Sequence, residues 1–515
     1  MSTSKLIERM QQASFYPHPV TQPIDVIHTH CSIVFLTGKL AYKVKKPVNF
    51  GFLNYSTVDL RKHFLEMELT MNKPIAPDIY LEVLPIVYRE GDYHLGGEGK
   101  IVEYALKMNQ FPQESLLINL FAAGKLTSQH MEELGRLVAQ FHRDAKTDDY
   151  ITSFGHPDKI AESIQENYQQ TLKYIGIAQT EKQYQETVAF TNDFLANKRE
   201  IFHQRQLNHK IRECHGDLHL KNMCYWRGKI QLFDRIEFNE PFRFVDVMYD
   251  VAFTMMDLQF RDAFALANVF ANTYLTETDD WEGLLVLPLY LCRQAYVRAK
   301  VTSFLLDDDS LPQEEKEKAR QTAQQYYHLA WKYTQPNQGR LILVAGISGS
   351  GKTTVARQIA QKINGFQIRS DAVRKHIAGI PLHVKGNSTV YSTQMTQRTY
   401  NRLIQLAKTL TLAGYNVLLD AKFDQLQYRQ PLLEFALREN IPFTIIHCTA
   451  PLSVLAERLH RRQGDISDAT PDLLLQQQNQ QQPFTDAEKP FLVPLDTTLP
   501  EATLSDRITE ILKLT

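Results

Sequence analysis

Cysteine is scarce in this chain of 515 residues: Cys31, Cys214, Cys224, Cys292 and Cys448 are the whole complement. They are scattered, odd in number and form no Cys-x-x-Cys pair, so neither a disulfide framework nor a zinc site is indicated. Long apolar runs are missing as well. The most hydrophobic window, residues 284–292, is too short to span a bilayer and contains Pro288. The opening residues, MSTSKLIERMQQ, are polar and lack the apolar segment of a secretion signal. Net charge is also nearly absent, because 57 Lys and Arg meet 58 Asp and Glu. That balance disfavours a surface built wholly to hold nucleic acid or an anionic membrane. These absences predict a reduced, cytoplasmic, globular protein with no membrane partner.

Length is ample, since domains of about 100–200 residues would give two to four of them. The clearest break is the polar stretch at residues 334–339 (TQPNQG), so the expected division is a domain over 1–333, a linker over 334–339 and a domain over 340–515. In the first domain, strands are predicted at 32–37 and 40–45 around Gly38, then at 80–87 and 101–108, with a helix over 61–73. Helices are expected from 115 to 204 and from 246 to 333, with a strand–loop–strand passage over 213–238. The result is a two-lobed α+β unit with a cleft. In the second domain, strands at 340–345, 366–369, 416–419 and 443–447 alternate with helices such as 353–363 and 395–412. That alternation predicts an α/β parallel sheet with flanking helices. The glutamine run at 476–482 reads as a polar helix face or loop.

Gly346-Ile347-Ser348-Gly349-Ser350-Gly351-Lys352-Thr353 fits the phosphate-loop pattern G-x-x-x-x-G-K-[ST], directly after an apolar strand and at the start of a helical pattern. Glycines let backbone N–H groups close round phosphates, and the helix start adds positive potential. Lys352 would reach the β- and γ-phosphates of ATP, the Thr353 hydroxyl would ligate Mg²⁺, and Thr354 completes the nucleotide-binding set. The next strand ends in Asp371-Ala372-Val373-Arg374. Asp371 could deprotonate an acceptor hydroxyl, with Arg374 holding charge; the alternative is a helix cap and a solvated first turn.

Strand, phosphate loop, helix, strand and D-x-x-R together resemble the small P-loop kinases of the polynucleotide kinase, zeta-toxin and chloramphenicol phosphotransferase group. The resemblance implies that Asp371 is the base, that Asp420, ending the strand 417–420, lies near Mg²⁺, and that Arg458, Arg461 and Arg462 sit on a mobile lid. Arg458 and Arg461 join the nucleotide-binding candidates. A solvated basic helix face is the other reading of these arginines.

In the first domain, His215-Gly216-Asp217-Leu218-His219-Leu220-Lys221-Asn222 sets an Asp and an Asn five residues apart, and Asp234 follows on the next predicted strand. A phosphotransferase needs a carboxylate at the acceptor hydroxyl and oxygen ligands for Mg²⁺. Asp217 suits the first role; Asn222 and Asp234 suit the second. His215 and His219 as zinc ligands lack a third partner nearby. The passage resembles the aminoglycoside phosphotransferase and choline kinase branch of the protein-kinase-like superfamily. That resemblance implies that Lys43 pairs with ATP phosphates and Glu68 with Lys43, with Lys45 and Glu66 as competitors for those roles. It also places residues 102–105 at the adenine hinge and makes Asp246 and Asp250 structural acids. No glycine-rich loop precedes Lys43, only His28-Thr29-His30-Cys31-Ser32, so backbone contacts to the phosphates are either poorer or supplied by Ser32. Asp307-Asp308-Asp309 is either a solvated loop or part of a pocket for a cationic acceptor.

The whole arrangement resembles a bacterial family of bifunctional phosphotransferase/ATP-binding proteins. It implies an ATP- and Mg²⁺-dependent phosphotransferase acting on hydroxyls of small molecules at two sites. Two alternatives stand beside it. In one, a half is a regulatory nucleotide-binding module. In the other, the second half is a polynucleotide 5′-hydroxyl kinase, against which the neutral charge and the lack of an aromatic–basic strip argue, or a zeta-toxin-like nucleotide-sugar kinase, which the motif leaves equally open.

Overall fold

The computed structural model describes residues 3–514 apart from Phe52 and Gln463, the latter falling within the expected arginine-bearing lid. Two compact units emerge. One holds the described residues up to His130 together with Gln140–Glu166 and Leu195–Asp257; the other holds Met131–Ala139, Asn167–Phe194 and the described residues from Leu258 onward. The second unit therefore takes in the helices Phe264–Thr278, Leu287–Phe304 and Gln313–Lys332, which precede residues 334–339 in the chain.

In the first unit, six strands form an antiparallel sheet: β1 (Asp25–His28), β2 (Ser32–Leu36), β3 (Leu40–Lys45), β4 (Tyr80–Arg89), β5 (Asp92–Leu95) and β6 (Lys100–Asn109), in the spatial order β1-β2-β3-β6-β4-β5. Alternation puts Phe35, Tyr42, Val44 and Ala105 into one core with Leu6, Met10 and Ile86. Helix Val58–Asn72 begins where the Thr57 hydroxyl accepts the Leu60 N–H. Two short antiparallel pairs follow, β7 (Ile211–Glu213) with β10 (Phe244–Asp246), and β8 (Met223–Trp226) with β9 (Lys229–Leu232).

The second unit contains a five-stranded parallel sheet of β11 (Arg340–Ala345), β12 (Phe366–Arg369), β13 (Asn416–Asp420), β14 (Phe443–Thr449) and β15 (Leu492–Asp496), ordered β12-β13-β11-β14-β15. The run Leu341–Ala345 is buried throughout, as expected of a central parallel strand covered on both faces. Val355 and Ile359 of helix Lys352–Ile363 pack on Ile342, Val344 and Leu418, and Ile508 of the last helix closes that core. The central position of β11 carries the phosphate loop to the carboxyl edge of the sheet, where ligands of open α/β sheets bind. Strand β15, not anticipated from the sequence, holds Pro494 at the sheet edge, where a missing N–H is tolerated.

Candidate active sites

Strand β3 directs Lys43 and Lys45 to the same side of the sheet, and helix Val58–Asn72 brings the fully buried Glu68 to both. Lys43 Nζ donates to Glu68 Oε1 at 2.8 Å, and Lys45 Nζ donates to Glu68 Oε2 at 2.9 Å. Lys45 also reaches Glu237 Oε1 at 2.6 Å, as does the Tyr55 hydroxyl. Lys43 alone extends to Asp234 Oδ1, at 2.6 Å. Burial acts to raise the Glu68 carboxyl, but the two ammonium groups hold it well below the usual carboxylate range. Glu66 is exposed and pairs with Lys62, so Glu68 is the acid that meets the strand lysines.

Asp234 adopts a left-handed backbone, φ +63°, and its own N–H donates to Tyr80 OH. Its Oδ2 accepts no hydrogen bond among the described residues. Asn222 Nδ2 donates to Asp217 O and Asp217 Oδ2, both at 3.0 Å, which turns Asn222 Oδ1 away as an unused acceptor. Asn222 and Asp234 therefore retain oxygens of the kind a hard divalent cation takes. The loop leading into Asn222 is held by two carboxylates: Asp250 accepts N–H bonds from His215 and Gly216 at 2.7 and 2.9 Å, and Asp257 accepts one from Leu220. Asp246 instead pairs with Arg205 through both oxygens.

His215 is wholly enclosed, and burial drives its imidazole down to about 4. Its neutral form explains both contacts: Nδ1 accepts the Asp217 N–H, and Nε2–H donates to Phe233 O. Both ring nitrogens are thus occupied, and His219 Nδ1 accepts the Lys221 N–H, which removes the zinc alternative. His142, Cys214 and Asp250 also converge. There Asp250 is committed to the loop and to His142, while burial pushes the Cys214 thiol far from ionisation.

Two expectations are corrected. Residues 102–105 are not a hinge: they lie inside β6, paired with β4, and the Glu103 carboxylate is gripped by Arg61 Nε at 3.0 and 2.8 Å. The strand ends at Asn109, and Phe111 just beyond it packs on Phe233, the residue before Asp234. Ser32 offers no free amide, because its N–H already donates to Thr29 Oγ1 and its side chain is buried. Of the two readings of the three consecutive aspartates, the solvated one fits: all three are exposed, Asp307 bonding Lys173 and Tyr174, Asp308 bonding Ser310, and Asp309 lying near Lys316.

At the carboxyl end of β11, Gly349 and Gly351 take φ +79° and +78°. A Cβ on Gly349 would lie 2.8 Å from Leu455 O, so both backbone sign and space require glycine there. Lys352 Nζ folds back to Ile347 O at 3.3 Å. Beside the loop is a cleft of about 520 Å³ lined by Lys352, Thr353, Thr354, Arg357, Arg369, Arg458, Arg461 and Arg462, with Asp465 the acid among its described lining residues. So cationic a cleft suits a polyphosphate. Arg458 donates to Gly349 O, Thr497 Oγ1 and Thr497 O at 3.2, 2.9 and 2.7 Å, and Thr497 Oγ1 in turn donates to Ser350 O. Arg461 is exposed and paired with Glu457; Arg462 is partly buried, 3.9 Å from Asp465. Arg458 is therefore the arginine that braces the loop, in place of a solvated basic face.

Asp420 ends β13 opposite Val344 and is 3% exposed. Gln367 Nε2 donates to Asp420 Oδ2 at 2.9 Å and to Thr353 O at 3.3 Å, while Asp420 Oδ1 and the Thr353 hydroxyl have no described partner. That pair of oxygens again fits Mg²⁺. Asp371 stands in the first turn of helix Ser370–Ala378, its carboxylate without a hydrogen-bond donor among the described residues. Arg374 is not on a solvated turn: it is buried, donates to Val390 O and Thr396 Oγ1, and lies 5.3 Å from the Tyr391 ring. Gln477, Gln367, Thr497, Tyr55 and Glu237 carry these sites yet belong to no motif.

Residues 341–484 match the AAA domain family model. An uncharacterized protein of Mycobacterium tuberculosis is 26% identical over 462 residues, covering 88% of this chain and 90% of its own. A gluconokinase of Gluconobacter oxydans is 28% identical over 137 residues, 25% of this chain and 70% of that one. Among solved structures, a choline/ethanolamine kinase family protein from Mesorhizobium loti is 9% identical, covering 64% of this chain and 99% of that one with TM-score 0.37. A sugar kinase from Janibacter is 24% identical, covering 35% and 95%, with TM-score 0.27. The family match thus falls on the residues that carry the phosphate loop and strands β11 to β14.

Proposed function

We propose that this chain is an ATP-dependent, Mg²⁺-requiring phosphotransferase with two nucleotide sites, one in residues 1–333 and one in residues 340–515, each delivering the γ-phosphoryl group to a hydroxyl of a small molecule. One observation carries the reading: in the first half Lys43 reaches Asp234 and Asn222 reaches Asp217, and in the second Gln367 joins Asp420 to Thr353 beside Lys352, each set keeping oxygens that accept no bond from the described residues. In the first half, Lys43, held by Glu68, binds the triphosphate, and Asn222 Oδ1 with Asp234 Oδ2 holds the metal. Asp217 takes the proton of the acceptor hydroxyl as its oxygen attacks the γ-phosphorus and ADP departs. In the second half, the amides of residues 346–351, with Lys352 and Thr354, cradle the phosphates. Thr353 and Asp420 hold the metal, Asp371 is the base, and Arg374 adds positive charge from beneath it. Bound Mg²⁺ supplies charge neutralisation across the β- and γ-phosphate oxygens.

ATP consumption and phosphoryl transfer by the full chain, compared with Asp217→Ala and Lys352→Ala, test the assignment. Each substitution should remove a separate share of turnover; full turnover in both would sink it. Because the second half is similar to a gluconokinase, small hydroxy acids of the gluconate kind are the first acceptors to try there, with 5′-hydroxyl oligonucleotides as the competing class.

A second reading makes the first half a nucleotide-binding regulator. The closed turn at residues 29–32 favours it, since its Ser32 amide is already bonded and cannot cover a phosphate. ATP turnover that survives Lys352→Ala decides for catalysis, and turnover that vanishes entirely decides for regulation.

A further inference from the structure

Strand β12 is the edge of the parallel sheet, where backbone groups would ordinarily lack partners. Helix Phe264–Thr278 covers that edge with side-chain amides in place of a neighbouring strand. Asn272 Oδ1 accepts the Gln367 N–H at 2.7 Å, while Asn272 Nδ2 and Asn268 Nδ2 donate to Gly365 O at 3.1 and 2.8 Å. Gln367 is thereby gripped by its backbone, and its side chain faces the opposite way. There its Nε2 donates to Asp420 Oδ2 and Thr353 O, the two residues assigned above to the metal.

We propose that Asn272 is a positioning residue for the phosphate-loop site, acting through Gln367, so that a helix preceding residues 334–339 sets the carboxylate facing Mg²⁺ and ATP. The inference rests on the reading of that site as a Mg²⁺ and ATP site. Its physical basis is a competition at Asp420. Gln367 gives Oδ2 a neutral donor, whereas the Arg369 guanidinium waits 3.9 Å from the same oxygen. If Gln367 shifts, the carboxylate closes on Arg369, and a carboxylate paired with a guanidinium is a poorer ligand for a cation. A mere edge cover would tolerate a small movement of Gln367; this arrangement does not.

The test uses the full chain with Asp234→Ala, which removes the metal ligand of the other site, and measures ATP affinity by calorimetry with Mg²⁺ and with EDTA. The ratio of the two affinities is the metal-dependent gain. Asn272→Ala should shrink that gain about fivefold, the value of roughly one net hydrogen bond, whereas Asn272→Asp, which keeps an acceptor for the Gln367 N–H, should retain most of it. Gln367→Leu should reproduce the loss, and adding Asn272→Ala to it should cost nothing more. A full gain in Asn272→Ala, or additive losses in the double variant, overturns the proposal. Should Asn272→Ala fail to fold, Gln367→Leu decides alone, since a parental gain there removes the route by which Asn272 acts. Separately, parental ATP affinity in Lys352→Ala, both with Mg²⁺ and with EDTA, would refute the nucleotide site itself and this inference with it.

Discussion

Gln477 Oε1 accepts the Ser348 backbone N–H at 2.9 Å, so the glutamine run reaches into the phosphate loop and fixes one of its peptides. Gln477 is buried, and Ile347, the residue before Ser348, packs on Leu455, Leu459 and Leu474. Replacing it with leucine leaves a buried amide without an acceptor, at a cost of about 1–3 kcal/mol. Gln477→Leu should lower the melting temperature and raise the KM for ATP of the Lys352-dependent reaction. Gln477→Glu should keep the amide satisfied yet weaken ATP binding, because its charge opposes the triphosphate. Thermal melts and ATP titrations of both variants check this. A Gln477→Glu chain that binds ATP as the parent does would remove the side chain from the vicinity of the phosphates.

Lys43 and Lys45 divide one carboxylate between them, but their environments predict opposite phenotypes. Lys43 lies nearer solvent and also reaches Asp234, whereas Lys45 is enclosed by Glu68, Glu237 and Tyr55. Lys43→Met should abolish the Asp217-dependent turnover with a modest loss of stability. Lys45→Met takes the ammonium from the buried Glu237, which keeps the Tyr55 hydroxyl, and leaves Glu68 to Lys43; breaking such a buried pair costs about 3–5 kcal/mol. Chemical denaturation of both variants, beside their ATP turnover, separates the roles. Equal destabilisation by the two substitutions would contradict the division.

The parts legible in the sequence are those whose chemistry is written in consecutive residues. The phosphate loop follows a continuous apolar strand, and β3, β11 and β12 fall where residues 40–45, 340–345 and 366–369 predict them. What was hidden depends on distant partners. Glu66 and Glu68 share one helix, and only the placement of that helix against β3 decides which meets Lys43. The hinge was misplaced because the period-two pattern of 101–108 reveals a strand but not which part of it borders the cleft. Gln477 and Asn272 act through single amides across large sequence separations, and nothing in a polyglutamine run or a buried helix marks them out.

Stability should fall on mild acidification because of His215. Its folded pKa is lowered, from the ordinary 6.5 to about 4, by burial. Between those values the unfolded chain takes up a proton that the folded chain refuses, so stability declines as pH drops through about 6.5 toward 4. Asp250 and Glu68 are depressed carboxylates, whose contributions are lost only at still lower pH. Melting temperatures of the parent and His215→Asn across pH 7.5 to 5 isolate the histidine. The substituted chain should show the shallower decline; parallel curves would place the acid sensitivity elsewhere.

Asp371 offers the cleanest separation of chemistry from binding in the second half. Its carboxylate receives no hydrogen bond from the described residues, so Asp371→Asn removes a base without stranding a partner. The helix first turn remains populated by a residue of the same shape, and the phosphate cradle of residues 346–353 lies on a different element. In a chain already carrying Asp217→Ala, the residual phosphoryl transfer should therefore drop about 10²–10⁴-fold, the usual worth of a positioned general base. ATP affinity should stay with the parent. Arg374→Met should behave differently, since it removes the donor to Val390 O and Thr396 and so costs stability as well as rate. A residual transfer rate in Asp371→Asn matching its parent would assign the base to another residue and reduce Asp371 to a helix-turn acid.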